Sequence, residues 1–344
     1  MIRSYSIGKA LHPKHVFRIS RATRPQVDNV FLVLEQEGVM GYGEASPNSF
    51  YRENHLDVQM TLDGMADYFR RQTLRGPDDI TRIWNEVWER VAPSRACQCA
   101  IDIALWDLNA KLCGRTGAEC AFGKAAHPVP TSATLGICPR EEWPGRIEEV
   151  ADFPAVKVKL DARVDTGLIE AIRLRTSAAV RVDANGAWAG LDMASISARL
   201  RELGVEFIEQ PLPPSEDDRM EEILRASGLP ILADESCAGP ADVERMPGRF
   251  SGFNIKLVKC GGITPALEML RIGKRLGLKS MVGCMLESSL LISAGTVVAQ
   301  EADYADLDGS WLLRDDCFKG LVLEKGRLLP TSGTGLGVSP IQPA

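Results

Sequence analysis

Hydrophobic and polar residues follow three rhythms in turn along the chain. Over residues 1–46 the rhythm is that of short strands. Residues 2–7 form one candidate, Val30-Phe31-Leu32-Val33-Leu34-Glu35 a stronger one, and Gly38 turns the chain into a third, Met40-Gly41-Tyr42-Gly43-Glu44. Over 55–114 the period lengthens to that of helices, and 55–71, 78–91 and 94–113 each read as amphipathic. In the last, Ile101, Ala104, Leu105 and Leu108 share one face, and Gly114 supplies the C-terminal stop. Strands followed by helices predict an α+β unit over residues 1–125. Two loops, 18–25 with the basic run Arg18 to Arg24 and 46–54, are long for a compact domain, and such loops commonly serve as lids.

From 131 onward strand and helix alternate. Candidate strands are 131–137, 155–160, 179–183, 206–209, 230–234, 252–257, 280–285 and 304–308, with helical stretches between them such as 193–203 and 266–276. Apolar strands alternating with helices imply a parallel sheet, and this many repeats favours a closed β/α barrel over residues 126–315. After 315 the chain turns rich in glycine and proline, with one more strand at 320–323. The tail, 316–344, is expected to fold back on the first unit.

Composition narrows the function. Hydrophobic residues at 45% and charged residues at 25% are those of a soluble globular protein. A net charge of −6 and the absence of a lysine or arginine block argue against nucleic acid or an acidic membrane as partner. No apolar leader and no run of 18 apolar residues is present, so the chain reads as neither secreted nor membrane-spanning. Its nine cysteines are scattered without a CxxC pair, which predicts reduced thiols and a cytoplasmic setting. The four histidines (12, 15, 55 and 127) all precede the strand at 155–160, so no histidine is available further on to ligate a metal or act as a base.

The chemistry starts at Ala155-Val156-Lys157-Val158-Lys159-Leu160. Alternation puts Lys157 and Lys159 on one strand face, about 7 Å apart. Two close ammonium groups losing water each make the other easier to deprotonate, which would yield a usable base; alone, the same hexapeptide also fits an exposed strand face. Further strands end in charged residues at regular steps: Lys159 to Asp183 is 24, Asp183 to Glu209 is 26, Glu209 to Asp234 is 25 and Asp234 to Lys256 is 22. That spacing is one β/α unit, and the C-terminal strand ends of such a barrel converge on one mouth. Three carboxylates there require a cation, and hard oxygen donors without histidine or thiolate select Mg²⁺ or Mn²⁺. Lysines from the second and sixth strands would flank that ion, one on each face of a carbon, the arrangement that inverts it.

Taken together, Lys157-Val158-Lys159, Asp183-Ala184-Asn185, Glu209-Gln210-Pro211, Asp234-Glu235-Ser236 and Asn254-Ile255-Lys256 resemble the enolase superfamily, muconate-lactonizing subgroup. Gly43-Glu44-Ala45 and Ala104-Leu105-Trp106-Asp107 fit the same family. The resemblance implies an α+β capping domain, completed by the C-terminal tail, over a modified (β/α)7β barrel. It also implies Mg²⁺ on Asp183, Glu209 and Asp234, Lys159 and Lys256 as the acid/base pair, and Lys157 tuning Lys159. Tyr304-Ala305-Asp306-Leu307-Asp308-Gly309 is similar to the Asp-x-Asp of dipeptide epimerases, which implies that Asp306 and Asp308 grip a substrate ammonium. Arg21 and Arg24 resemble lid positions of L-Ala-D/L-Glu epimerases, and Asn185 and Met285 are assigned to the substrate on the same basis. Glu287 has no derived role. A Mg²⁺-dependent dipeptide epimerase is therefore expected, with a small dipeptide as partner and a homo-oligomer left open. The rivals are another enzyme of the subgroup (cycloisomerase, o-succinylbenzoate synthase or N-acylamino acid racemase), a non-catalytic binding protein, or a lysine Schiff-base aldolase.

Overall fold

The computed structural model describes residues 1–341. Strand β1 (Arg3–Leu11) is followed by a small hairpin, β2 (Phe17–Ile19) and β3 (Ala22–Arg24), and then by β4 (Val27–Gln36) and β5 (Val39–Ala45). β1, β4 and β5 form an antiparallel sheet with β4 in the middle, which is why Val30 to Leu34 are buried without alternation. The predicted loop 18–25 is thus largely a hairpin. Helices α1 (His55–Asp63), α2 (Ala66–Arg70), α3 (Pro77–Val91) and α4 (Arg95–Leu112) follow. The single helix expected at 55–71 is two, divided at Gly64 and Met65.

The amphipathic reading of 94–113 is corrected. Every residue from Ala96 to Ala110 is buried, polar ones included. α4 lies between β5 on one side and the helices Leu257–Cys260 and Ile263–Leu276 of the barrel on another. The approach to β5 is close: a Cβ at Gly43 would stand 1.9 Å from the carbonyl oxygen of Ala100, and one at Gly41 2.4 Å from that of Ala104. The polar residues of α4 have distant partners instead of water. Asp102 accepts from the Thr264 backbone N–H at 3.0 Å and its hydroxyl at 2.5 Å, and Gln98 donates to the Trp84 carbonyl at 3.0 Å. Ile101, Ile103, Leu105 and Leu108 are wholly buried, and exposing each would cost about 1.5–3 kcal/mol, so the two halves do not separate freely.

After α5 (Gly117–Phe122) and the two-residue β6 (Val129–Pro130) come eight parallel strands, each paired with its neighbour in sequence. They are β7 (Ser132–Leu135), β8 (Ala155–Lys159), β9 (Ala179–Asp183), β10 (Val205–Glu209), β11 (Ile231–Ala233), β12 (Gly252–Lys256), β13 (Lys279–Gly283) and β14 (Tyr304–Asp306). Helical segments join each to the next, giving a (β/α)7β arrangement. No ladder pairs β14 with β7 among the described residues. Side chains bridge that seam: Ser132 Oγ donates to Asp306 Oδ1 at 2.5 Å, the Thr134 N–H donates to Asp308 Oδ2 at 2.6 Å, and the Leu307 N–H donates to Thr131 Oγ1 at 2.7 Å.

The tail holds four short strands in place of the one expected at 320–323: β15 (Phe318–Lys319), β16 (Val322–Glu324), β17 (Arg327–Leu329) and β18 (Ser339–Pro340). β17 pairs with β6, and Phe318 sets its ring 5.6 Å from that of Phe31 and 5.7 Å from that of Tyr42. The Leu336 N–H donates to Asp107 Oδ1 of α4 at 2.8 Å. No described helix is long and apolar enough to cross a membrane.

Candidate active site

Register places the chemistry at one end of the barrel. Lys159 stands opposite Asp183, and Asp183 opposite Glu209, across adjacent parallel strands. Asp234 follows β11, Lys256 ends β12, and Asp306 ends β14. β8 and β12 are the second and sixth of eight strands, half a turn apart, so Lys159 and Lys256 reach the centre from opposite sides.

Oxygens of Asp183, Glu209 and Asp234 lie within 4.8 Å of one another, and all three residues are buried. Lysines gather around them. Lys157 Nζ is 2.7 Å from Glu209 Oε2, 2.8 Å from Asp306 Oδ2 and 3.1 Å from Asp183 Oδ2. Lys159 Nζ is 2.5 Å from Asp183 Oδ2, and Lys256 Nζ is 2.8 Å from Asp234 Oδ2. On the far side of Asp234, Lys259 donates to Oδ1 at 2.7 Å and to the Asn254 carbonyl at 3.0 Å. Asn254 Nδ2 donates to Glu209 Oε1 at 2.8 Å, which leaves Glu209 Oε2 buried without an aligned hydrogen bond. An all-oxygen, all-buried donor set with one such oxygen fits a hard divalent ion.

The expectation that Lys157 and Lys159 would ease each other's deprotonation is not met at Lys157. Burial favours its neutral form, but Asp306, Glu209 and Asp183 outweigh burial and hold its pKa well above the usual lysine value. Lys256 is held above the usual value too, against burial, chiefly by Asp234. Asp183 is held low by Lys159 and Lys157 against burial, whereas burial and the charge of Asp183 push Glu209 up to about 7. The lysines and the carboxylates were both legible in the chain; that three of those carboxylates close directly on Lys157 was not.

A cavity of about 510 Å³ opens above these groups. Lys157, Lys159, Lys256, Asn185, Asp306 and Asp308 line its floor, and Met285 its wall. Burial and Asp306 push Asp308 up to about 7. Arg21 and Arg24 reach the cavity from the β2–β3 hairpin, but they differ. Arg24 Nη2 has two 3.3 Å contacts, with Asn48 Oδ1 and Ser49 Oγ, whereas Arg21 is bound to Glu235 at 2.5 Å and to the Asn185 carbonyl at 2.9 Å. Glu287 lies outside this lining. Its carboxylate accepts from the Met285 N–H at 2.8 Å, and burial pushes it up to about 8.

Residues 3–116 match the mandelate racemase/muconate lactonizing enzyme N-terminal domain, and residues 145–343 match the enolase C-terminal domain-like family. The chain is similar to the L-Ala-D/L-amino acid epimerase of Maribacter sp., 37% identical over 332 residues and 96% of each chain. It is 34% identical to the L-Ala-D/L-Glu epimerase of Bacteroides thetaiotaomicron over 95% of this chain and 85% of that one. Among solved structures, the dipeptide epimerase from Methylococcus capsulatus complexed with Mg and the dipeptide L-Arg-D-Lys superposes with a TM-score of 0.90 at 33% identity, over 98% of this chain and 99% of that one. The chain belongs to the dipeptide epimerases of the enolase superfamily.

Within this dipeptide epimerase family member, sequence reasoning left several site neighbours without a role. Lys259 lies three residues after Lys256 and Asn254 two before it, so the alternation of β12 pointed to Asn254 as facing the same way. Tyr51 in the second lid lines the cavity near Asp234 and Lys256, and burial raises its hydroxyl pKa well above the usual value. Glu44, quoted only as part of a motif, accepts from Asn29 Nδ2 at 2.7 Å and from the Ser288 N–H at 3.0 Å, which ties the cap to the β13 loop. No spacing signal pairs residues 244 positions apart.

Proposed function

We propose that the chain is a Mg²⁺-dependent dipeptide epimerase that inverts the α-carbon of the C-terminal residue, with L-Ala-D/L-Glu as the favoured substrate. The observation that carries this reading is the placement of Lys159 and Lys256 half a barrel apart, with the three acids between them. Asp183, Glu209 and Asp234 would hold the ion (Mn²⁺ would also suit them). When bound, it supplies Lewis-acid stabilisation of the charge that develops on the substrate carboxylate. Lys157 and Lys159 share Asp183 Oδ2, and Lys159 would leave that oxygen to move a proton at the substrate's α-carbon. One lysine removes the α-proton to give an enediolate, and the other returns a proton to the opposite face. Asp306 and Asp308 receive the free ammonium. Asn185 and Met285 contact the substrate beside them, and Arg24 meets its side-chain carboxylate.

The relatives' names support the class, and their range from L-Ala-D/L-Glu to L-Arg-D-Lys leaves the side chains to experiment. The nine unpaired cysteines support a cytoplasmic setting. A dipeptide library incubated in D₂O with Mg²⁺ and read by mass tests the proposal. Deuterium uptake at the C-terminal α-carbon is the expected result, greatest for L-Ala-L-Glu and its epimer; no uptake in any member refutes it.

A further inference from the structure

Arg21 stands at the tip of the β2–β3 hairpin and directs its whole guanidinium at the barrel. One nitrogen pairs with Glu235 Oε1 at 2.5 Å, another donates to the Asn185 carbonyl at 2.9 Å, and the plane lies 4.4 Å over the ring of Phe50. Phe50 belongs to the second lid, Asn185 follows β9, and Glu235 follows Asp234 beyond β11. One side chain therefore joins both lids to two strand ends that carry proposed metal ligands. The main chain of the hairpin has a separate anchor, the Ile137 N–H donating to the Arg18 carbonyl at 3.0 Å.

Glu235 depends on this contact. Its side chain is 1% exposed and its Oε2 has no hydrogen-bond partner, while Asn185 Nδ2 reaches Oε1 only at 3.4 Å. A buried carboxylate stripped of its counter-ion is strongly destabilised, so each member of the pair keeps the other in place. A substrate carboxylate would have to displace Glu235 to reach Arg21. Asn185 adopts a left-handed backbone conformation (φ 46°), and it is the carbonyl of this residue that accepts from Arg21.

We propose that Arg21 is a positioning residue: it latches both lids onto the barrel through Glu235 and Asn185, and takes no part in choosing the substrate's side chain. This reading rests on the proposed dipeptide epimerase activity. The test compares wild type with R21M, R21K, E235Q and the R21M/E235Q double variant, on L-Ala-L-Glu and on the neutral L-Ala-L-Leu. R21M is expected to lower kcat/KM by roughly tenfold or more for both dipeptides alike, with R21K recovering part of the loss. E235Q added to R21M should cost little more, because paired groups are not additive. A loss confined to L-Ala-L-Glu overturns the latch and makes Arg21 a substrate contact. A second readout needs no turnover: trypsin should cut after Arg18 in the hairpin and after Arg52 in the second lid faster in R21M and E235Q than in wild type, and unchanged cutting overturns the latch. If wild type epimerises no dipeptide, the functional proposal fails, while the proteolysis result still decides for or against the latch.

Discussion

Asp306 Oδ2 sits 2.8 Å from Lys157 Nζ, while its other oxygen accepts from Ser132 Oγ at 2.5 Å. The carboxylate proposed to receive a substrate's ammonium already holds one belonging to the protein. Two consequences of removing it are therefore separable. D306N should lower kcat/KM for L-Ala-L-Glu by about a hundredfold, as expected when a buried charge pair loses one member. N-acetyl-L-Ala-L-Glu, which lacks the ammonium, should lose far less of whatever activity it has. Equal losses on both would make Asp306 a partner of Lys157 and nothing more.

The two flanking lysines should fail separately. K159A and K256A are each expected to lower epimerisation by about 10²–10⁴-fold, the usual contribution of a positioned acid or base. Each should keep wash-out of the α-proton from one epimer only, and the surviving epimer should differ between the two. Proton NMR of L-Ala-L-Glu and L-Ala-D-Glu in D₂O reads both. Exchange from both epimers in either variant would place the base elsewhere.

Chelation should abolish activity, and Mg²⁺ or Mn²⁺ should restore it. Because Lys157 stands against the same acids, K157M should be less stable than wild type without metal and gain more from it. At a hundred times its Kd the ion should stabilise wild type by about 2.7 kcal/mol, read as a rise in Tm. A Tm indifferent to Mg²⁺ would speak against the site.

Stability should depend on pH through Asp102 at the junction of α4 and the barrel. Burial outweighs its bonds from Thr264 and pushes its pKa from 3.8 up to about 7. A carboxyl raised on folding contributes stability that is present below pH 4 and lost as pH rises through 7. D102N keeps the neutral shape. The stability of wild type relative to D102N should therefore fall between pH 4 and 7 by on the order of 2–4 kcal/mol, and then level off. Parallel Tm curves for the two proteins would count against this.

The parts of the molecule that repeat were the ones readable beforehand. Steps of 22 to 26 residues marked Lys159, Asp183, Glu209, Asp234 and Lys256 as strand ends, because a β/α unit has a fixed length and parallel register aligns its ends. What escaped depends on contacts without periodicity. The polar residues of α4 looked solvent-facing because Thr264 and Leu336, which satisfy Asp102 and Asp107, lie 162 and 229 positions away. Arg21 was assigned to the substrate by resemblance alone, and nothing local in the chain announces its pairing with Glu235. Lys157 looked easily deprotonated because only folding brings Asp306 to it.

The bond from Leu336 to Asp107 has a bearing on biosynthesis. A Cβ at Gly335 would stand 2.2 Å from Asp107 Oδ1, so only a glycine lets this segment thread against α4, and Ser293 Oγ clasps the Leu336 carbonyl at 2.5 Å. Lys111 and the Tyr42 N–H donate to one oxygen of the Asp107 carboxylate, but α4 leaves the ribosome more than two hundred residues before the donor to the other. The bond that closes the tail onto α4 can therefore form only after residue 336 has left the exit tunnel.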